Sequence, residues 1–199
     1  MKKILILIFV FLVQSQTIFG QITANKTSGC APLTGVQFSS PTTGDWDFGN
    51  GASATAQLGG TNISTIYADH GVYTVTFDDG SGPITETITV YGNPTPDFLI
   101  DGPESGCVPF STSFGDSSEA QGSSSIVAWQ WAFGDGAAST FQNPNHTYTI
   151  LGTYTVSLIV TDNNGCDSTA VKTDYVSVQN PPTANFTASP TSSCTAPLN

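Results

Sequence analysis

The run Trp46-Asp47-Phe48-Gly49-Asn50-Gly51, followed by Tyr67 and Gly71-Val72-Tyr73-Thr74-Val75, returns as Trp131-Ala132-Phe133-Gly134-Asp135-Gly136, followed by Tyr148 and Gly152-Thr153-Tyr154-Thr155-Val156. The copies lie 85 residues apart at the Trp and 81 apart at the Gly. The repeating unit is therefore a whole small domain and not the shorter rung of a solenoid. A third copy is expected to begin near the end, because Ala184-Asn185-Phe186 through Cys194-Thr195-Ala196-Pro197 echoes Pro96-Asp97-Phe98 through Cys107-Val108-Pro109, and Cys30-Ala31-Pro32 before it. The expected organisation is a leader over 1–20, a divergent first domain over 21–92, a second domain over 93–180 and the start of a third over 181–199.

Lys2 and Lys3 precede an apolar run from Ile4 to Val13, and a polar patch then leads to Ile18-Phe19-Gly20. This is the layout of a secretory signal peptide, and the run is too short for a lasting membrane span. Cleavage after Gly20 would place the mature chain in the medium or on the outer cell surface, with no membrane span in the mature fragment. The 199 residues carry 15 acidic side chains against four lysines and no arginine, a formal charge of −11, and two of the lysines lie in the leader. Such a balance excludes nucleic acid as a partner, since phosphate binding needs basic side chains. The acidity reads as solubility and self-repulsion, with a specific role in cation binding as the alternative.

Tyr154, Val156, Leu158 and Val160 alternate with Thr153, Thr155, Ser157 and Ile159, the period of two of a half-buried strand, and Tyr73, Val75 and Phe77 repeat it. Asp162-Asn163-Asn164-Gly165 and Asp78-Asp79-Gly80 then supply turns before a last strand, so each unit ends in a hairpin. Trp129, Trp131 and Phe133 share a strand face, matched by Trp46 and Phe48, and belong to a core. The glycines of Gly49-Asn50-Gly51 and Gly134-Asp135-Gly136 accept positive φ and turn the chain. About seven short strands per unit give an all-β fold of tandem immunoglobulin-like β-sandwiches.

The pattern Trp-x-Phe-Gly-[Asp/Asn]-Gly, then Asn143-Pro144-Asn145-His146-Thr147-Tyr148 and Gly152-Thr153-Tyr154, resembles the signature of PKD (polycystic kidney disease) domains, a family of extracellular β-sandwiches. The motif residues are Trp46, Phe48, Gly49, Gly51, Tyr67, Gly71 and Tyr73 in the first unit. In the second they are Trp131, Phe133, Gly134, Asp135, Gly136, His146, Tyr148, Gly152 and Tyr154. The first unit departs from the pattern, having no Asn-Pro-x-His-Thr-Tyr run. The additional Gly-Cys-x-Pro and Asn-Gly-Cys runs are similar to those of PKD arrays on gliding Gram-negative bacteria, which implies export by a type IX system and a role in surface adhesion. The resemblance implies a non-enzymatic spacer and adhesion module, its partners other surface proteins or extracellular polysaccharide. The alternative it allows is accessory domains of an exported protease or polysaccharide-degrading enzyme whose catalytic domain lies beyond residue 199.

Cys30, Cys107, Cys166 and Cys194 in an exported chain are disulfide candidates. In an immunoglobulin-like topology Cys107 precedes the second strand and Cys166 follows the sixth, which runs the same way, so the two should sit at opposite ends of the unit. End-to-end packing of tandem units instead favours a Cys30–Cys166 staple between domains, leaving Cys107 for the third unit. The Cys107–Cys166 pair and free thiols stay open as alternatives. Asp162, Asn164 and Asp167 crowd one hairpin loop with oxygen ligands suited to weak calcium binding, against ordinary turn chemistry. No other cofactor is expected. The carboxylate pair Asp45 and Asp47 survives in neither copy, because Asp47 becomes Ala132 while Asp135 is Asn50. His70 and His146 precede strands and have no nucleophile beside them in the pattern, so no catalytic residue is expected. Trp129 and Phe141 are the aromatics to watch for a glycan platform; packing under a loop is the alternative.

Overall fold

The structure is a computed structural model that describes residues 21–51, 53–57 and 63–185, with strand backbone alone for 53–57. The expected leader and the expected start of a third unit, from Phe186 through Cys194 to the end, lie outside the described residues. The chain divides between Gly92 and Asn93 into two compact units. Among the described residues every regular element is a strand, and no helix is long and apolar enough to cross a membrane.

The first unit contains β1 (Thr23–Ala24), β2 (Ser28–Cys30), β3 (Leu33–Ser39), β4 (Gly44–Asp47), β5 (Ser53–Gln57), β6 (Ile63–Tyr67), β7 (Gly71–Asp78) and β8 (Ile84–Tyr91). They form a three-stranded sheet, β1-β3-β6, and a five-stranded sheet, β2-β8-β7-β4-β5. The second unit repeats this plan with β9 (Phe98–Asp101), β10 (Ser105–Cys107), β11 (Phe110–Asp116), β12 (Ile126–Ala132), β13 (Ala138–Ser139), β14 (Asn145–Tyr148), β15 (Gly152–Asp162) and β16 (Asp167–Gln179). Its sheets run β14-β11-β9 and β10-β16-β15-β12-β13.

Alternation builds the cores. Tyr154, Val156, Leu158 and Val160 of β15 are all buried, with Trp131 and Phe133 on and just after the neighbouring β12, and with Phe98, Phe110, Phe114 and Tyr148 from the facing sheet. Trp46, Phe48, Phe38, Tyr67, Val75, Phe77 and Ile88 fill the corresponding interior of the first unit. Each such side chain contributes about 1.5–3 kcal/mol by leaving water, which for domains this small is a large share of what holds them folded.

Among the described residues each unit has eight strands where the sequence pattern gives about seven, because the opening strand breaks and changes sheet. β9 pairs antiparallel with β11, whereas β10 pairs in parallel with β16; β1 and β2 do the same against β3 and β8. The Gly-Cys-x-Pro run makes this crossing. A Cβ on Gly106 would lie 2.2 Å from the Phe110 ring, and one on Gly29 would lie 2.5 Å from the Leu33 side chain. Only glycine lets the next strand's first core residue fold back over the crossing. The following Ala31-Pro32 and Val108-Pro109 bonds are both cis.

The last strand of the second unit is not regular either. The register shifts between Tyr154 and Val156 of β15, and Asp174 on the facing stretch of β16 adopts a φ of 54°. This bulge turns Tyr175 onto Phe98, edge to face at 5.6 Å between ring centroids.

Candidate functional site

The signature side chains of the second unit form one continuous stack. Trp131 and Phe133 lie parallel, 6.4 Å between centroids. Phe133 stacks on the His146 ring at 4.2 Å, His146 meets the edge of Tyr148 at 4.5 Å, and Tyr148 stacks on Tyr154 at 4.4 Å. Each polar tip has a backbone or carboxylate partner. The Tyr148 hydroxyl donates to the Phe133 carbonyl at 3.1 Å, the Tyr154 hydroxyl to the Ile150 carbonyl at 2.7 Å, and Trp131 Nε1 to the Phe141 carbonyl at 2.9 Å. His146 Nε2 lies 2.7 Å from Asp135 Oδ2, and Asp135 Oδ1 accepts the Ala137 N–H at 3.0 Å.

The environment shifts these groups as expected of a structural cluster. Burial raises the Asp135 carboxyl, but the Ala137 N–H and the His146 ring outweigh it and hold the group below its ordinary value. Burial, reinforced by Asp135 and Tyr154, pushes the Tyr148 phenol well above its ordinary value. Tyr67 is raised to about 12 by burial, with Tyr73 and Asp47 adding to it.

The first unit keeps the frame and changes the polar pair. The Tyr67 hydroxyl donates to the Phe48 carbonyl at 3.1 Å, Tyr67 packs on Tyr73 at 4.6 Å, and the Tyr73 hydroxyl donates to the Asp69 carbonyl at 2.8 Å. Asn50 stands where Asp135 stands in the second unit. Its Nδ2 donates to Thr65 Oγ1 at 3.1 Å and to the Ile66 carbonyl at 2.9 Å. Thr65 is thus the counterpart of His146, as counting back from Tyr67 and Tyr148 in the sequence would have shown, whereas His70 precedes β7 as Leu151 precedes β15. An ionisable pair in one copy is a neutral amide–hydroxyl pair in the other.

The hairpin between β15 and β16 is held by Asp162, which is 1% exposed. Its Oδ1 accepts the N–H groups of Asn164 and Cys166, both at 2.9 Å, and Oδ2 faces the Asn164 amide at 3.4 Å. Burial raises this carboxyl, yet the Cys166 and Asn164 N–H groups, with the Ser124 and Asn164 side chains, bring it below its usual value. Asn163 accepts the Ser125 N–H at 2.9 Å. Asp162 is therefore occupied in closing the turn, and Asp167 is exposed at the start of β16. Among the described residues no three His, Cys, Asp or Glu side chains gather as a metal site.

Cys30 and Cys166 are both disulfide-bonded, and Cys107 is an exposed free thiol. This corrects the Cys107–Cys166 alternative. Cys107 pairs with Gln179 at the end of β16, and Cys166 immediately precedes its first residue. Thirteen residues at ~3.3 Å each separate them by roughly 40 Å along the strand, against a Cα limit of ~7 Å. Cys194 lies outside the described residues.

Of the two aromatics singled out for a platform, Trp129 is half-buried against the core, with Nε1 donating to Asp116 Oδ2 at 2.7 Å. Phe141 does not pack under its loop: it is 76% exposed beside an open groove of about 630 Å3 on the outer face of β12, β13 and β15. Loop residues have no periodicity from which this exposure could be read. Lys172 also escaped the sequence pattern. Its Nζ pairs with Asp97 Oδ1 at 2.9 Å, donates to the Phe98 carbonyl, and lies 4.9 Å from the Phe98 ring centroid and 5.2 Å from that of Tyr175. It latches the first strand of its unit to the last.

The family profile for the PKD domain matches residues 93–178. The chain is 37% identical over 89 residues to a microbial collagenase of Vibrio alginolyticus, covering 45% of this chain and 11% of that protein. It is 36% identical over 102 residues to the collagenase ColA of Clostridium perfringens, covering 51% of this chain and 9% of that one. The chain therefore spans about a tenth of the length of these relatives. Among solved structures, the PKD1 domain of the Vibrio cholerae metalloprotease PrtV matches at 30% identity and a TM-score of 0.37, over 43% of this chain and 98% of that domain.

Proposed function

We infer, from a chain that carries a PKD domain over residues 93–178, that the two units serve as a non-enzymatic extracellular spacer and adhesion module of a secreted or surface protein. The observation behind this reading is where the signature side chains go. Trp131, Phe133, His146, Tyr148 and Tyr154 are consumed in one hydrogen-bonded core stack, and the same frame, with the polar pair changed, recurs in the first unit. Residues that elsewhere would be candidates for acid–base chemistry here hold two sheets together. Contact with partners then falls to outer faces.

Cys30 and Cys166 as the oxidised cysteines, with Cys107 reduced, support a Cys30–Cys166 staple between the units, which would stiffen the spacer. Export by a type IX route belongs to the same reading. It is checked by whether the protein stays inside cells lacking that system. The adhesive role is tested by immobilising the chain and presenting extracellular proteins and polysaccharides: retention without cleavage is expected, and retention of none overturns it.

A second reading is favoured by the collagenase relatives: accessory domains of an exported hydrolase. Sequencing past Asn199 separates the two. A catalytic signature there makes both units accessories, and further repeats ending in a sorting signal favour the adhesin.

A further inference from the structure

We propose that the groove on the outer face of β12, β13 and β15 binds a neutral polysaccharide, with the Phe141 ring as its aromatic wall. This rests on the adhesive reading above and gives it a ligand class. The groove has a volume of about 630 Å3, within the usual range for a small-ligand site. Strand register lays its floor. Ala132 pairs with Ala138 on one side and Ser157 on the other, and Gln130 pairs with Ile159. The alanines leave room, the serine hydroxyl and glutamine amide offer donors and acceptors, and Phe141 offers a flat apolar surface. A sugar ring presents the complementary pair of features, an apolar C–H face and a rim of hydroxyls.

Phe141 is exposed yet held. Its carbonyl accepts the Trp131 indole N–H at 2.9 Å and its N–H donates to Ser139 Oγ at 3.2 Å. The ring therefore stands on a backbone tied to the buried core, and little backbone ordering is left to be lost on binding. The fold does not require it: residues 49–66, the corresponding stretch of the first unit, contain no aromatic side chain.

Charge selects the ligand. No charged side chain lines the groove, and Lys172, the only lysine between residues 93 and 185, is committed to Asp97. An acidic polysaccharide would meet a surface of its own sign with no cation to receive it. A neutral glycan meets no such penalty. A protein partner anchored by arginine, as many interfaces are, would find no carboxylate in the groove.

The test is depletion of the full chain from solution by washed particles of cellulose, chitin and a β-1,3-glucan, with alginate beads as the acidic control. Retention by at least one neutral particle and none by alginate is expected. Phe141→Ala should weaken that retention about tenfold, and Ala132→Gln, which lays a longer side chain across the floor, should weaken it as well. Ile150→Ala, an exposed apolar residue outside the groove, should not, and all three variants should melt as the parent does. No retention by any neutral particle, an unaffected Phe141→Ala, or equal loss in Ile150→Ala each overturns the proposal. Retention that survives Phe141→Ala removes the groove but leaves the adhesive reading standing. Absence of retention on proteins and glycans alike removes both.

Discussion

Gly134 and Gly136 flank Asp135 in the second unit, and both have positive φ, 85° and 94°. Their surroundings differ. A Cβ on Gly134 would lie 2.5 Å from the Thr155 carbonyl oxygen and 3.1 Å from the Thr155 nitrogen, whereas one on Gly136 would meet nothing within 4 Å. Gly136→Ala therefore costs only the conformational penalty of an L-residue in the left-handed region, ~1–2 kcal/mol, less ~0.4–1 kcal/mol gained from a stiffer unfolded chain, a net cost of about 1 kcal/mol. Gly134→Ala carries the same cost and also forces a backbone atom of β15 aside, an overpacking of ~1–3 kcal/mol, for a total of about 3 kcal/mol. At ~4–8 °C per kcal/mol for a domain of this size, its melting temperature should fall by roughly 15 °C and that of Gly136→Ala by roughly 5 °C. The assay is thermal and urea unfolding followed by tryptophan fluorescence, with hydrogen exchange on peptides from 93–180 to place the loss in the second unit. Equal destabilisation by the two substitutions would refute the reasoning, since only the contact with Thr155 separates them. Gly49→Ala, with a Cβ 2.6 Å from the Thr74 carbonyl oxygen, should reproduce the larger effect in the first unit.

The Asp135 carboxyl is held below its ordinary value of 3.8, so its contribution is complete above that value and is lost as the pH falls through the lowered one. Asp135→Asn should cost about 1 kcal/mol near neutrality and flatten the acid limb of the second unit's stability curve; an unchanged acid limb would count against the pair. Adding His146→Thr to Asp135→Asn rebuilds the Asn50–Thr65 arrangement, and a double-mutant cycle should return a coupling of roughly 0.5–1.5 kcal/mol. Tyr148→Phe leaves the buried Phe133 carbonyl without its donor and should lower stability by ~1–2 kcal/mol, measured by urea unfolding. Asp162→Ala frees two N–H groups of the hairpin and should cost about 2 kcal/mol, while millimolar calcium should leave the parent's melting temperature unmoved, because that carboxylate is already spent on the turn. Iodoacetamide should label Cys107 and neither Cys30 nor Cys166 in the native protein, and a non-reducing peptide map should join Cys30 to Cys166; a Cys107–Cys166 peptide would contradict the strand register.

What could be read from the residues was whatever period and repetition encode. Alternation in 153–160 marks β15 and its buried face, and the returning Trp-x-Phe-Gly-x-Gly run marks β4 and β12. The crossing of the first strand between sheets was hidden because it is signalled by one glycine, Gly29 or Gly106, whose reason lies in the ring or side chain that folds over it. The Asp135–His146 pair was hidden for a related reason. The two residues come from different sheets, and nothing in their spacing says that the turn after β12 faces β14. Lys172 reaches Asp97 across the whole length of the unit, and a bulge at Asp174 directs Tyr175 to the same place; neither leaves a periodic trace. Phe141 was the hardest, since an aromatic in a loop is read as a cap on the core unless the backbone shows where it points.

Two copies of one plan in one chain also separate what the fold demands from what it permits. Kept in both are the tyrosine hydroxyl on the Phe carbonyl, 3.1 Å in each unit, the glycine pressed on β7 or β15, and the glycine under Leu33 or Phe110. Each removes a buried unsatisfied group or a steric clash, and neither copy could discard it without a stability cost. The Asp–His pair is exchangeable for Asn–Thr because either satisfies the same two positions. The groove wall at Phe141 has no aromatic counterpart in residues 49–66, and an exposed phenylalanine contributes nothing to burial. A side chain that the fold neither needs nor hides, on a backbone whose carbonyl accepts the core tryptophan's N–H, is where the proposal places a difference in function between the copies. On the proposed reading, the second unit would carry a contact surface that the first unit lacks.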